Sequence, residues 1–351
     1  MDNRIISVSS GLCEGGRGFG TREASMLGRR LSGKFPCISL GCDGFSCLPL
    51  VYALCSGASE GGSEVLLCEN TDLPSLRFGG KITGADCTVF VSGRDQPQLH
   101  FFGKTGFPLS PEELLAVISA APSAGTAPGA IRQITSFRGI YVGSIAESLG
   151  GKGTAIPSMI SCAGSSVRSL WLEFFTGRDS RLVFQVSANG RSACAYMADK
   201  GYIPGETLMI AYACQASASG ETVWLPEELH FAADSISGDI RRFPADSVPP
   251  AATAQRFLTD PLYMCAALAS DMERFRRTLS ELPAMTTVRR ELSVGEKTVP
   301  YAEFSRKSGR VLTRSAGPGR LAVIAQSYSA ETASELCADW CRQFRGKKQG
   351  K

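Results

Sequence analysis

From Phe35 to Ala121 the spacing of apolar positions changes repeatedly along the chain. FPCISL reads as a short apolar strand. CLPLVYALCSGAS, with Leu48, Val51, Tyr52 and Cys55 on one helical face, reads as a helix, and SEVLLC and CTVFVS return to strand. Strand, helix and strand in that order make the βαβ unit of an α/β fold. A further helix is predicted at SPEELLAVISA, where Ser110 is the N-cap, Pro111 takes the first helical position, and Glu113 stands three residues after the cap to complete a capping box. APSAGTAPGA, Ala121 to Ala130, has no periodicity and is rich in Pro, Gly and Ala, so it reads as a linker.

Beyond the linker the pattern restarts. RLVFQV and ACAYMA are strand-like, the tight turn Asp199-Lys200-Gly201 follows, and GETLMIAYACQA reads as a helix. From Ser217 to Asp260 the pattern is irregular, with SVPPAATA as a connector, and PLYMCAALASDMERFRRTLSEL then predicts one long amphipathic helix. The last unit, from about Met285, reads as strand (GRVLT), glycine-containing loop (RSAGPGR), strand (LAVIAQ) and helix (AETASELCADWCRQF). No period of roughly 20 to 50 residues recurs, which excludes a repeat protein.

Composition narrows the picture. A chain of 351 residues exceeds one ordinary core and predicts several domains. No apolar run approaches the roughly 20 residues of a membrane span, and MDNRIISVSSG lacks the apolar stretch of a secretion signal, so the expectation is a cytoplasmic protein with no membrane partner. Thirteen cysteines are scattered through apolar segments, at Cys55, Cys68, Cys87, Cys194 and Cys265 among others, with no CxxC and only two histidines; buried reduced thiols are expected rather than zinc or disulfides. The net charge of +4 is small and the basic tail RGKKQGK is short, so no nucleic-acid partner is expected.

One stretch poses a chemical question. FVSGRDQP, Phe90 to Pro97, ends an apolar strand in an abrupt polar turn, a common place for an active-site loop, yet it offers Arg94 where a nucleophile would be useful. Taken with other segments it resembles the α-D-phosphohexomutase superfamily, which includes phosphoglucomutase, phosphomannomutase and phosphoglucosamine mutase. GGRG at Gly15 to Gly18 is similar to the family's Gly-x-Arg-Gly. LGCDGFS at Leu40 to Ser46 looks like its strand ending in Gly-x-Asp-Thr-Arg, and LPSLRF at Leu73 to Phe78 like its Thr-Pro-x-x-x-Phe helix start. GADCTVFVSGRDQP falls without a gap on Ala-Asp-Gly-Gly-x-x-Ile-Thr-Ala-Ser-His-Asn-Pro. SANGRSA to ADKG resembles Asp-Gly-Asp-Gly-Asp-Arg, strand and Asp-x-x-Gly, and RVLTRSAGPGRLAVI resembles the strand and phosphate loop Arg-Pro-Ser-Gly-Thr-Glu-Pro.

The resemblance implies phosphoryl transfer between two hydroxyls of a hexose through a phosphoserine, with magnesium held by three aspartates. In the match the phosphoserine position falls on Arg94, followed by Asp95 and Gln96, and a guanidinium cannot carry the phosphate in that way. Ser92 lies two residues earlier on the same strand face and is the substitute acceptor in the alternative, active reading. The metal aspartates fall on Ser187 to Ser192, which holds no carboxylate. Arg191 there would repel a cation by roughly 4 kcal/mol per unit charge pair at about 4 Å and an effective dielectric of about 20, so no metal site and no magnesium are expected. In the phosphate loop Arg314 and Gly317 match, while Ser315 and Arg320 are replacements that still offer donors to an anion. The resemblance also implies that these loops share a cleft, so that Arg94, Arg191, Arg314 and Arg320 would make it cationic. Cys87, His100 and Asp95 offer a third, unrelated constellation.

The expected fold class is therefore a phosphohexomutase-like multidomain α/β chain with mixed α/β units, a shortened third domain and a C-terminal α+β module. The expected segments are 1–125 and 126–216 as the first two family-type domains, 217–284 as a remnant of the third with a connecting helix, and 285–351 as the C-terminal domain. The expected role belongs to hexose-phosphate metabolism without catalysis: binding a hexose phosphate, or regulating a protein partner such as an active mutase.

Overall fold

The structure is a computed structural model that describes residues 5–16, 18–93, 96–151, 155–244, 247–294, 302–306, 309–317 and 319–346. Tertiary contacts divide the chain into two units, Met1–Ile203 with Thr259–Ser270, and Pro204–Leu258 with Asp271–Lys351.

The first unit begins with β1 (Ile5–Ser9), β2 (Leu12–Gly15), α1 (Thr21–Ser32), β3 (Cys37–Cys42), α2 (Leu48–Glu60), β4 (Glu64–Cys68), α3 (Leu73–Thr83), β5 (Cys87–Ser92), β6 (Gln98–Gly103), α4 (Pro111–Ser119) and β7 (Ile131–Gln133). Its sheet runs in the order β1-β2-β6-β5-β3-β4-β7. β5, β3, β4 and β7 are parallel, as the βαβ pattern predicts, and β6, β2 and β1 extend the sheet antiparallel. β5 is buried along its whole length, which is why it reads as a continuous apolar run rather than an alternating one. Val89, Val91, Leu99 and Phe101 face a core shared with α1, α2 and α4, while Phe90 and Phe102 face the opposite core with Leu73 and Leu76 of α3 and Phe137. Each such side chain contributes about 1.5–3 kcal/mol by leaving water. The capping box at Ser110 and Glu113 forms as the sequence predicts. The first sheet, however, extends past residue 125: β7 lies after the linker and pairs with β4.

The unit continues through α5 (Arg138–Ser148), β8 (Met159–Cys162), α6 (Ser165–Trp171), β9 (Leu182–Val186), β10 (Ala193–Met197) and β11 (Gly201–Ile203), which form a four-stranded sheet in the order β11-β10-β9-β8. The second unit holds α7 (Gly205–Ala218), β12 (Val223–Pro226), β13 (Ile240–Phe243) and α8 (Pro250–Ala254). The segment from Ser217 to Asp260, read as irregular, thus carries a parallel strand pair, whose strands are too short to show a period in the sequence.

The long helix predicted from Pro261 is two helices, α9 (Pro261–Ser270) and α10 (Met272–Glu281). Asp271 breaks it: its carboxylate accepts from the Arg274 backbone N–H and starts a new helix as an N-cap. The apolar pattern runs through the break because Phe275 continues to be buried. The second unit ends with β14 (Thr286–Ser293), β15 (Ala302–Arg306), β16 (Gly309–Gly317), β17 (Arg320–Ser327) and α11 (Ala330–Gly346), an antiparallel sheet in the order β14-β17-β16-β15 packed on one helix. All thirteen cysteines are free thiols, and no helix among the described residues is long and apolar enough to cross a membrane.

Candidate functional site

Ligands of open α/β sheets bind beyond the carboxyl ends of the parallel strands, and β3 and β5 both end at one edge of the first unit. β3 stops at Cys42, as LGCDGFS predicts, and the chain turns through Asp43 and Gly44. β5 stops at Ser92 and returns in β6, so FVSGRDQP is a hairpin connection. Its backbone is tightly framed. Gly93 has φ +85, and a Cβ there would meet the Gln96 carbonyl at 2.4 Å; the Pro97 carbonyl accepts from the Gly15 N–H at 2.8 Å; and the Cys47 thiol donates to the Gly93 carbonyl at 3.5 Å. Arg94 and Asp95 lie outside the described residues.

Ser92 is buried, and its Oγ lies 3.2 Å from Nε2 of His100, on the neighbouring strand. The other ring nitrogen, Nδ1, lies 3.2 Å from Nη1 of Arg191. An arginine can only donate, so Nδ1 must accept and the ring proton sits on Nε2. That proton points at Ser92, whose oxygen accepts it. The pair therefore runs opposite to a Ser-His base, in which the imidazole takes the serine proton and a carboxylate holds its far nitrogen. Burial, assisted by the Arg191 charge, lowers the His100 pKa to about 4, so the ring is neutral at pH 7. Nothing in this geometry activates the Ser92 hydroxyl.

Arg191 comes from the turn between β9 and β10, the segment matched to the metal loop. The turn closes on itself: the Asn189 side-chain oxygen accepts from the Arg191 backbone N–H and from the Ser187 hydroxyl, and Ser187 Oγ accepts from the Ser192 N–H. Gly190 has φ +73 and lies against Pro74 at the start of α3, the helix that LPSLRF predicts. The oxygens of this loop are hydroxyls, an amide and carbonyls beside a guanidinium. They do not suit magnesium, which needs anionic oxygens in near-octahedral array. Among the described residues no three His, Cys, Asp or Glu side chains cluster as a metal site.

The structure brings in two residues that the sequence reading left out. Phe102, two positions beyond His100 on β6, has the Arg191 guanidinium 5.8 Å from its ring centre, and Arg77 of α3 lies 5.5 Å from the same ring. Period two along β6 places His100 and Phe102 on one face and was the available signal. That period also breaks up the Cys87, His100 and Asp95 constellation. Cys87 lies in the core with Val89 and Val91, whereas His100 pairs with Phe90 on the other face, and burial pushes the Cys87 thiol well up.

In the second unit the predicted phosphate loop is a hairpin. β16 runs to Gly317, so Arg314 and Ser315 are strand residues, paired across to Ala322 and Leu321. Arg314 sits with its Nη2 2.7 Å from Glu227 and its Nε 3.7 Å from Glu228, and Arg320 pairs with Glu291. The chain's second histidine, His230, accepts the Ala232 N–H at Nδ1 and donates from Nε2 to the Ser327 carbonyl, which leaves no basic nitrogen for catalysis. A cavity of about 390 Å³ in this unit is lined by Cys214, Gln215, Arg274, Thr278 and Glu281, and none of the sequence-predicted site residues reaches it.

Solved structures share this architecture. The chain is similar to a phosphoglucomutase/phosphomannomutase family protein of Burkholderia thailandensis, with 14% identity, TM-score 0.70 and 97% of each chain covered. It is also similar to a candidate phosphomannomutase of Thermus thermophilus, with 12% identity, TM-score 0.66, and 98% of this chain and 100% of the other covered. The chain has the phosphohexomutase fold. A third similar structure, the open form of the Paramecium phosphoglucomutase parafusin, has 8% identity and TM-score 0.53 over 88% of this chain and 86% of the other. No sequence-family profile matches the chain, and no curated protein matches it in sequence.

Proposed function

We propose that this protein is a phosphohexomutase-fold member of hexose-phosphate metabolism that binds a hexose phosphate in the cytoplasm and does not isomerise it. One observation carries the reading: in the first unit, Arg191 fixes His100 as the tautomer that donates to Ser92, and it does so from a loop of hydroxyls, an amide and carbonyls that the sequence resemblance matches to the family's metal loop. Phosphoryl transfer rests on positioning and on neutralising the charge of the moving group, with an acceptor oxygen ready to attack. Here the acceptor oxygen already receives a proton and the charge-neutralising cation is a fixed side chain. Such a site favours holding a phosphate over passing it on.

The rival reading, an active mutase working through Ser92, requires a phosphoserine. Incubation with a hexose bisphosphate and magnesium, followed by mass spectrometry of the peptide containing Ser92, is expected to return the unmodified peptide. Phosphate on Ser92 would establish the mutase instead.

A further inference from the structure

A buried or half-buried arginine normally has a carboxylate beside it, because taking an unpaired charge out of water is costly. Three arginines of the second unit keep to this: Arg314 has Glu227, Arg242 has Asp234, and Arg310 has Glu303 and Asp234 within ion-pair distance. Arg191 departs from it. It is half-buried, yet among the described residues no carboxylate pairs with it; its partners are the neutral His100 and the ring of Phe102. Beside it, over the same ring, stands a second cation, Arg77. Burial first, and then the Arg77 charge, press the Arg191 pKa down, and no carboxylate among the described residues offsets the Arg191 charge.

The arrangement is nonetheless fixed. The β9–β10 turn holds the Arg191 backbone through Asn189 and seats Gly190 on Pro74, while His100 and Phe102 hold the guanidinium itself. One of its five N–H donors is used by His100. None of its nitrogens is among the buried polar atoms lacking a partner, so the remaining donors reach solvent. A pre-positioned planar fork with free donors, next to a second positive charge, matches the oxygens of a phosphate dianion, whereas the same pair of charges repels a divalent metal.

We propose that Arg191, with Arg77 beside it, is the phosphate-docking element of this protein, a built-in cation pair that takes the phosphate dianion of a sugar phosphate without any divalent metal. This rests on the sugar-phosphate reading above and deepens it by naming the docking residues and the absence of a metal requirement.

The test is calorimetric titration of the full chain with inorganic phosphate and with glucose 6-phosphate at low salt, once with a chelator and once with magnesium. The same titration is repeated with Arg191→Gln and Arg77→Gln, and the melting temperature of each unliganded protein is recorded. The wild type is expected to bind equally with chelator and with magnesium. Arg191→Gln should weaken binding about tenfold or more, and Arg77→Gln should weaken it less. Unliganded Arg191→Gln should melt no lower than the wild type, since an uncompensated charge has been removed. Binding that requires magnesium, binding untouched by Arg191→Gln, or a loss of binding accompanied by a lower unliganded melting temperature would each overturn the docking assignment and leave the sugar-phosphate reading standing. A wild type that takes neither ligand under any condition would overturn that reading itself.

Discussion

Two turns of this molecule carry arginines where phosphohexomutase motifs fall, and they end in opposite electrostatic states. In the β9–β10 turn of the first unit, Arg191 leans on a neutral imidazole and an aromatic ring. In the β16–β17 hairpin of the second unit, Arg314 meets Glu227 and Glu228, and Arg320 meets Glu291. The first arginine meets no carboxylate among the described residues; the other two are paired with carboxylates of the fold. The motif position therefore does not decide the chemistry of an arginine. The carboxylates that approach it from elsewhere in the chain do.

The largest expected effect concerns His100, the neutral hydrogen-bond partner of Arg191. Its folded pKa is depressed, so above about pH 6.5 both folded and unfolded chains carry it neutral. As pH falls below that, only the unfolded chain takes up the proton, and stability is lost progressively until the folded state titrates near pH 4. The loss from this residue amounts to about 2 kcal/mol at pH 5 and about 3 kcal/mol at pH 4. Urea unfolding at pH 7 and pH 5 should show His100→Gln losing less stability than the wild type over that interval. An equal loss in both proteins would mean that His100 is already charged in the fold, and the neutral-partner side of the comparison would fail.

Next comes the paired side. Glu227→Gln removes the nearest carboxylate from Arg314, which is 12% exposed, and should destabilise the protein by about 1–3 kcal/mol in the same measurement at pH 7. Arg191→Gln should cost nothing comparable. Equal effects of the two substitutions would erase the distinction between them. The smallest effect is expected from Arg320→Gln. Its pair with Glu291 is open to solvent, 49% and 35% exposed, so the change should stay within about 0.5 kcal/mol and vanish at high salt. A large loss there would show that the hairpin is held by its charges rather than by the apolar sheet face of Val311, Leu321, Val323 and Ala325.

Much of the fold was legible because its signals are local. The parallel order of β3, β4 and β5, the capping box of α4, the start of α3 at Leu73 and the strand end at Ser92 are each written within a few neighbouring residues. The antiparallel strands β1, β2 and β6 escaped because polar residues flank or interrupt their few apolar ones, and the break at Asp271 hid inside an apolar pattern that continues across it. The site was legible only in outline. Spacing pointed to Ser92, Arg191 and Arg314, but their partners lie far along the chain: His100 and Arg191 are 91 positions apart, and Arg314 and Glu227 are 87 apart. The glutamates that neutralise Arg314 follow a short strand in a segment with no readable period, so its availability for an anion was over-read.

The central claim, binding without isomerisation, is tested most directly by phosphorus NMR on a single sample. Glucose 1-phosphate is mixed with the full chain, magnesium and a catalytic amount of hexose bisphosphate, and the spectrum is followed for hours. The account predicts that the glucose 1-phosphate resonance shifts or broadens as protein is added, and that its total intensity stays constant with no 6-phosphate signal. A 6-phosphate resonance growing at the rates of ordinary enzymes, about 1 per second or faster per protein molecule, would contradict it.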